Sequence, residues 1–259
     1  MITLIDLVQG SEEWLKARLG VITASRAHEF AASPKLAPLP ENIVYEKVGK
    51  EHVYFFNGKE FKGTNKTTLQ NEVRSTLPMV YPEIRQKYMA ELVAQCATGL
   101  IPEGVNFKQT EWGNEHEEDA RSYFEFETGL DVSEVGFIYK DKSHRFGISP
   151  DGLIKGKKIG LEIKCPFTSK VFVEFATCEK IKQEYIEQCQ FSMWVTGYEA
   201  WYFANYDPRM KGKKLHYELI QRDQFFMDKY DNSYLKFISD MDKMLDKLGC
   251  DFGSQWGDE

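Results

Sequence analysis

The segment that most restricts the fold is Ile159-Gly160-Leu161-Glu162-Ile163-Lys164-Cys165. Its strict alternation is the signature of a β-strand, because successive side chains leave opposite faces. Ile159, Leu161, Ile163 and Cys165 then enter one apolar layer, and Glu162 and Lys164 project together from the other face. Charges on so apolar a strand are costly unless paired or bound to an ion. A solvated face could supply the same alternation.

Asp151 lies eleven residues earlier, in Ser149-Pro150-Asp151-Gly152, where Pro150 and Gly152 predict a sharp turn or strand end. If the flanking strands pair antiparallel around Gly156, Asp151 and Glu162 meet side by side. Two touching carboxylates repel unless they share a proton or a cation. Magnesium fits such a pair, since it takes hard oxygen ligands and keeps waters, and the main-chain carbonyl of Ile163 could complete the set. A third acid could come from Glu117, on a helix face with Gly113, Ala120, Arg121 and Phe124. A plain salt bridge from Glu117 to Arg121 one turn on explains that residue equally well.

The remaining pattern predicts a mixed α/β core. Helices are expected over Glu83–Thr98, Glu111–Thr128 and Glu179–Thr196, and a long final helix follows an Asp223 N-cap. Strands are expected over Val132–Tyr139, Arg145–Ser149, Lys158–Cys165, Ala200–Tyr206 and Leu215–Arg222. The proline-bearing stretch from about Ser33 to Pro82 reads as an insertion in one domain spanning residues 1–259, with a hairpin turning at Asn57-Gly58.

Forty acids against 33 bases give a net charge of −7, which alone argues against a polyanion partner. Between Lys140 and Lys170, however, eight bases face three acids, a local charge of +5, and local field counts for more than the total. A solvated basic loop is the competing account of Lys155, Lys157 and Lys158. The five cysteines form no Cys-x-x-Cys pair, which disfavours a zinc site or disulfide framework. No apolar run suits a membrane span and no signal peptide is evident, so a cytoplasmic protein is expected.

The Asp151 … Glu162-Ile163-Lys164 pattern resembles the core of the restriction-endonuclease-like nucleases, and more closely the lambda-exonuclease-like family of YqaJ-type viral recombinases. The blocks carrying the resemblance begin with residues 14–25, 112–121 and 149–153. They continue through residues 160–169, 190–196 and 200–210. The resemblance implies a restriction-endonuclease-like α/β fold, a mixed central sheet flanked by helices. It implies a magnesium-dependent 5′-to-3′ exonuclease that degrades one strand of linear double-stranded DNA to 5′-mononucleotides, with two ions in turnover and Mn2+ able to substitute. It also implies a homotrimeric ring and a single-strand annealing protein that receives the 3′ tail.

Carried over by position, the implied metal ligands are Asp151, Glu162, the Ile163 carbonyl and Glu117. The catalytic lysine is Lys164 and the active-site glutamine Gln188. The 5′-phosphate pocket takes Arg18, Ser25, Ser149 and Lys170. At position 170 the family pattern has arginine, so lysine here loses the two-point grip on phosphate. Taken alone, Arg18 could pair with Glu13, Ser25 could cap a helix and Gln188 could be a buried amide. An endonuclease on the same core, and a non-catalytic DNA-end binder recruiting the annealing protein, are the competing functions.

Overall fold

The computed structural model describes residues 1–4, 6–102, 107–178 and 180–257, with the side chains at 107–111 and 114 excepted. In chain order the first elements are β1 (Ile2–Leu4), α1 (Glu12–Ala17), β2 (Ile22–Thr23), α2 (Ala27–Phe30), β3 (Val44–Val48), β4 (Glu51–Phe56) and β5 (Lys59–Gly63). Next come α3 (Lys66–Ser75), α4 (Glu83–Thr98), α5 (Phe107–Thr128), β6 (Val132–Ser133), β7 (Phe137–Tyr139), β8 (Phe146–Ile148) and β9 (Gly152–Ile154). The chain continues with β10 (Ile159–Lys164), α6 (Ser169–Cys178), α7 (Gln183–Thr196), β11 (Ala200–Tyr206), β12 (Leu215–Gln221) and α8 (Gln224–Leu248).

These elements form two units, Met1–Ala31 with Tyr88–Glu259, and Ala32–Lys87. The larger unit contains a five-stranded sheet in the order β12-β11-β10-β9-β6 and a four-stranded sheet in the order β1-β7-β8-β2. Both are mixed: β10 runs parallel to β11, β2 runs parallel to β8, and their other pairings are antiparallel.

Strand β10 places its alternating side chains as its pattern requires. Leu161 and Ile163 join Ala204, Tyr206 and Leu215 beneath Ala120 and Phe124 of α5. Removing such side chains from water contributes roughly 1.5–3 kcal/mol each. On the opposite face Trp201 and Phe203 of β11 pack with Cys189, Phe191 and Trp194 of α7 and with α8. Helices thus cover both faces of the sheet that carries Glu162 and Lys164.

The smaller unit is an antiparallel β3-β4-β5 sheet with α3 packed on it through Tyr54, Phe56, Leu69 and Val73. Its β4–β5 turn has positive φ at both Asn57 and Gly58, the type I′ geometry of an Asn-Gly hairpin.

Some expected boundaries change. The single strand expected over 132–139 is two strands in different sheets, β6 and β7. The break passes Gly136, where a Cβ would run into the backbone of Leu7. Helix α5 begins at Phe107, four residues earlier than expected. The helix expected from Glu179 begins at Gln183, Glu179 itself lying outside the described residues. A separate helix, α6, precedes it and buries Phe172 and Phe175. No helix among the described residues is long and apolar enough to cross a membrane.

Candidate active site

The β9–β10 pairing sets the site. Gly152 lies opposite Leu161 and Leu153 opposite Gly160, so continuing the register by one residue brings Asp151 beside Glu162. The Asp151 turn is held at three points. Its Oδ2 accepts the Ile163 N–H at 2.5 Å, its carbonyl accepts Arg121 Nε at 3.0 Å, and the Pro150 carbonyl accepts Gln9 Nε2 at 2.9 Å.

Glu162 is 3% exposed, and its Oε1 accepts from both Lys164 Nζ and Gln188 Nε2 at 2.5 Å. Gln188 comes from α7, on the sheet face to which Glu162 and Lys164 project. It is a half-buried amide, not the fully buried one of the plainer reading, and its partner is the acid of the candidate site. Glu117 Oε1 accepts from Arg121 Nη2 at 2.9 Å, so the salt bridge weighed against its site role is present.

Charge accumulates here. Burial, then the neighbouring Glu162 and Glu117, hold the Asp151 carboxyl well above its ordinary range, against the pull of Lys164 and the Ile163 N–H. Burial also raises Glu117 more than Arg121 lowers it. Burial depresses Lys164, but Glu162 and Asp151 outweigh it, and the ammonium is held charged. Burial pushes the neighbouring Cys165 thiol up to about 12, which keeps it neutral and makes it a poor nucleophile or ligand.

The donor set is oxygen only, anionic and self-repelling, and it suits a hard divalent cation. Asp151, Glu162 and the Ile163 carbonyl would hold it. Among the described residues no three His, Cys, Asp or Glu side chains are already gathered around one point. Glu117 is hydrogen-bonded to Arg121, and Glu162 to Lys164 and Gln188.

Three of the four residues expected to bind phosphate also converge. Arg18 caps α1 and donates from Nη1 to Ser149 Oγ at 2.8 Å. Trp14, one turn earlier, donates to the same oxygen at 2.9 Å and lies 4.1 Å beneath the guanidinium. Arg18 and Ser25 line a cavity of about 260 Å³ with Thr23, Arg26, Tyr88 and Gln95. Burial pulls the Arg18 pKa down to about 10, and among the described residues it has no carboxylate partner, Glu13 included. Arg26 differs, being paired with Glu29 and Glu91. Ser25 caps no helix: it lies inside a short 3-10 turn, its Oγ 3.5 Å from Thr23 Oγ1.

Lys170 is not brought to this cavity. It stands on α6 with its side chain 77% exposed, 3.4 Å from Glu174. Sequence reasoning missed Trp14 as the second holder of Ser149, although its i,i+4 spacing from Arg18 signals a shared helix face. It also gave Arg121 only a local role, and the link from Arg121 to the Asp151 carbonyl has no signal in sequence.

The fold is similar to an alkaline exonuclease, LHK-Exo, from Laribacter hongkongensis. The two chains share 28% identity over 92% of this chain and 96% of that one, with a TM-score of 0.67. The structure of LHK-Exo in complex with dAMP matches at a TM-score of 0.68. A phage-related exonuclease from Haemophilus somnus 129PT shares the fold at 14% identity, covering 88% of this chain and 96% of that one, with a TM-score of 0.55. A putative uncharacterized protein, ExoD, of Escherichia coli K12 is 51% identical over 78 residues, which are 30% of this chain and 90% of that protein. The match to solved alkaline exonucleases fixes the mixed α/β architecture as restriction-endonuclease-like. The YqaJ-like viral recombinase domain matches residues 13–199, more than two thirds of the chain, and this protein belongs to that family.

Proposed function

We propose that this protein is a divalent-cation-dependent deoxyribonuclease that degrades one strand of linear duplex DNA from its 5′ end. It releases 5′-mononucleotides and leaves a 3′ tail for strand annealing. The observation that carries this reading is the meeting of Asp151 and Glu162 beside a charged Lys164, with Gln188 on the same carboxylate. Support from relatives comes from LHK-Exo, an alkaline exonuclease whose structure holds dAMP.

Asp151, Glu162 and the Ile163 carbonyl would hold the cation, Mg2+ or Mn2+, with Glu117 as a further ligand. When bound, such an ion polarises the phosphodiester and lowers the pKa of a coordinated water. The chain's own groups supply the rest. Lys164 stays protonated, so it acts as a hydrogen-bond donor and positive charge for the crowded phosphate oxygens, not as a base. Gln188 fixes the orientation of Glu162. Attack of water on phosphorus expels the 3′ oxygen, so each released nucleotide keeps its 5′ phosphate.

Arg18, Ser149 and Ser25 bind the 5′-terminal phosphate, where a buried guanidinium lacking a carboxylate partner gains a counter-charge. Lys170 lies outside that cavity, so its part in phosphate binding rests on the family resemblance alone. The nuclease domain comprises the two flanking segments, with residues 32–87 inserted. The resemblance adds a ring of three subunits and a single-strand annealing protein as partner.

End-labelled linear duplexes carrying 5′-phosphate or 5′-hydroxyl, and a covalently closed circle, test the reading with Mg2+ and with EDTA. Mononucleotides from the 5′ end of the linear duplexes alone, and only with Mg2+, are expected. Cutting of the circle would make it an endonuclease. Binding without release would make it an end-recruiting protein.

A further inference from the structure

Arg121 plays no part in the reaction above, yet its guanidinium reaches three separate segments of chain. Nε donates to the Asp151 carbonyl at 3.0 Å, Nη2 to Glu117 at 2.9 Å and Nη1 to Glu134 at 2.5 Å. Its side chain is 11% exposed, whereas that of Glu134 is 74% exposed. The first two contacts therefore face the acidic cluster and the third faces solvent. One rigid planar group bridges α5, the turn before β9 and the segment between β6 and β7. The Asp151 carboxylate is gripped separately by the Ile163 N–H, and the Pro150 carbonyl is held by Gln9.

We propose that Arg121 is the positioning residue of the acidic centre. Its fork fixes Glu117 relative to the Asp151 turn and so sets the spacing of the carboxylates that receive the cation. This deepens the nuclease reading and rests on it. A simple i,i+4 helix pair with Glu117 leaves the bond to the Asp151 carbonyl unexplained, and that bond makes the contact a brace between elements. Lysine keeps the charge but has one nitrogen, so it cannot hold a carbonyl and two carboxylates in fixed directions. Groups that orient metal ligands commonly account for 10- to 100-fold in metal affinity or activity.

The test compares wild type, Arg121→Lys and Arg121→Gln at a temperature where all three are folded. It reads Mn2+ affinity by calorimetry, kcat and KM for linear duplex, and amide hydrogen exchange at Ile163. Both variants are expected to bind Mn2+ about 10- to 100-fold more weakly. Both should lose kcat in similar measure with KM within twofold, and exchange the Ile163 amide faster. Lysine should not rescue what glutamine loses. Wild-type exchange and Mn2+ affinity in Arg121→Lys would overturn the proposal, as would a loss confined to KM. If wild type neither binds Mn2+ nor releases nucleotides, the nuclease reading fails, and exchange at Ile163 still decides whether Arg121 braces the turn.

Discussion

Replacing Arg18 by methionine separates a phosphate-binding arginine from a structural one. Keeping the guanidinium charged where burial pulls its pKa to about 10 costs up to roughly 3 kcal/mol, at about 1.4 kcal/mol for each tenfold. Its hydrogen bond to Ser149 returns about 1.5 kcal/mol, and its stacking on Trp14 about 0.5–1 kcal/mol. The net cost of the buried charge is then on the order of 1 kcal/mol. Methionine retains the apolar stem, and Ser149 Oγ keeps the Trp14 N–H as a partner. Arg18→Met should therefore unfold in urea at the wild-type midpoint or slightly above it.

Function should respond in the opposite way. A charge-assisted bond to phosphate contributes about 1.5–3 kcal/mol, so the preference in kcat/KM for 5′-phosphate over 5′-hydroxyl duplexes should fall about 10- to 150-fold. Removing one partner of a true buried ion pair costs about 3–5 kcal/mol. A stability loss of that size with the phosphate preference intact would refute the reasoning.

Other perturbations test other parts. Asp151 has a folded pKa raised above its unfolded value. Its stabilising contribution is therefore complete below the unfolded pKa and disappears as pH rises through the folded one. Without metal, Asp151→Asn should gain stability over wild type as pH rises above about 4, the unfolded carboxylate value, and a flat difference in unfolding free energy would contradict this. Added Mg2+ should bind wild type more tightly as pH rises, because Asp151 must lose its proton. Gly160→Ala would drive a Cβ into the buried Trp201 ring and should destabilise by about 1–3 kcal/mol in urea unfolding; wild-type stability would contradict the packing of β10. Lys170→Ala should change 5′-phosphate preference less than twofold in the end-labelled assay, and a tenfold loss would place Lys170 in the pocket after all.

The parts of the fold that one element specifies by itself were readable from sequence. The period-two pattern of β10, the Asn57-Gly58 turn and the Asp223 cap are local, and all three are present. So is α4, whose bounds Glu83 and Thr98 are those expected, with Gly99 at positive φ just beyond its end. What escaped depends on distant partners. At the Gly136 break the backbone of Leu7, far away in sequence, comes close, and within residues 132–139 Gly136 is the hint of it. Helix α6 was missed because Val171, Phe172, Val173 and Phe175 suit a strand as well as a helix until the sheet supplies a surface for Phe172 and Phe175.

The site shows the same division. Asp151 beside Glu162 follows from a hairpin register, and the sequence contains it. The hold of Gln188 on Glu162 and the pairing of Arg18 with Ser149 span 26 and 131 residues, and only the family resemblance had associated them. Arg121 bridges segments that no periodicity relates.

The account depends most on the acids at the end of β10 binding a divalent ion. Crystals soaked in Mn2+ and measured at the manganese absorption edge test this directly. An anomalous peak coordinated by Asp151, Glu162 and the Ile163 carbonyl is predicted, and it should be lost in Asp151→Asn. A strong peak elsewhere with none between these oxygens would contradict the account.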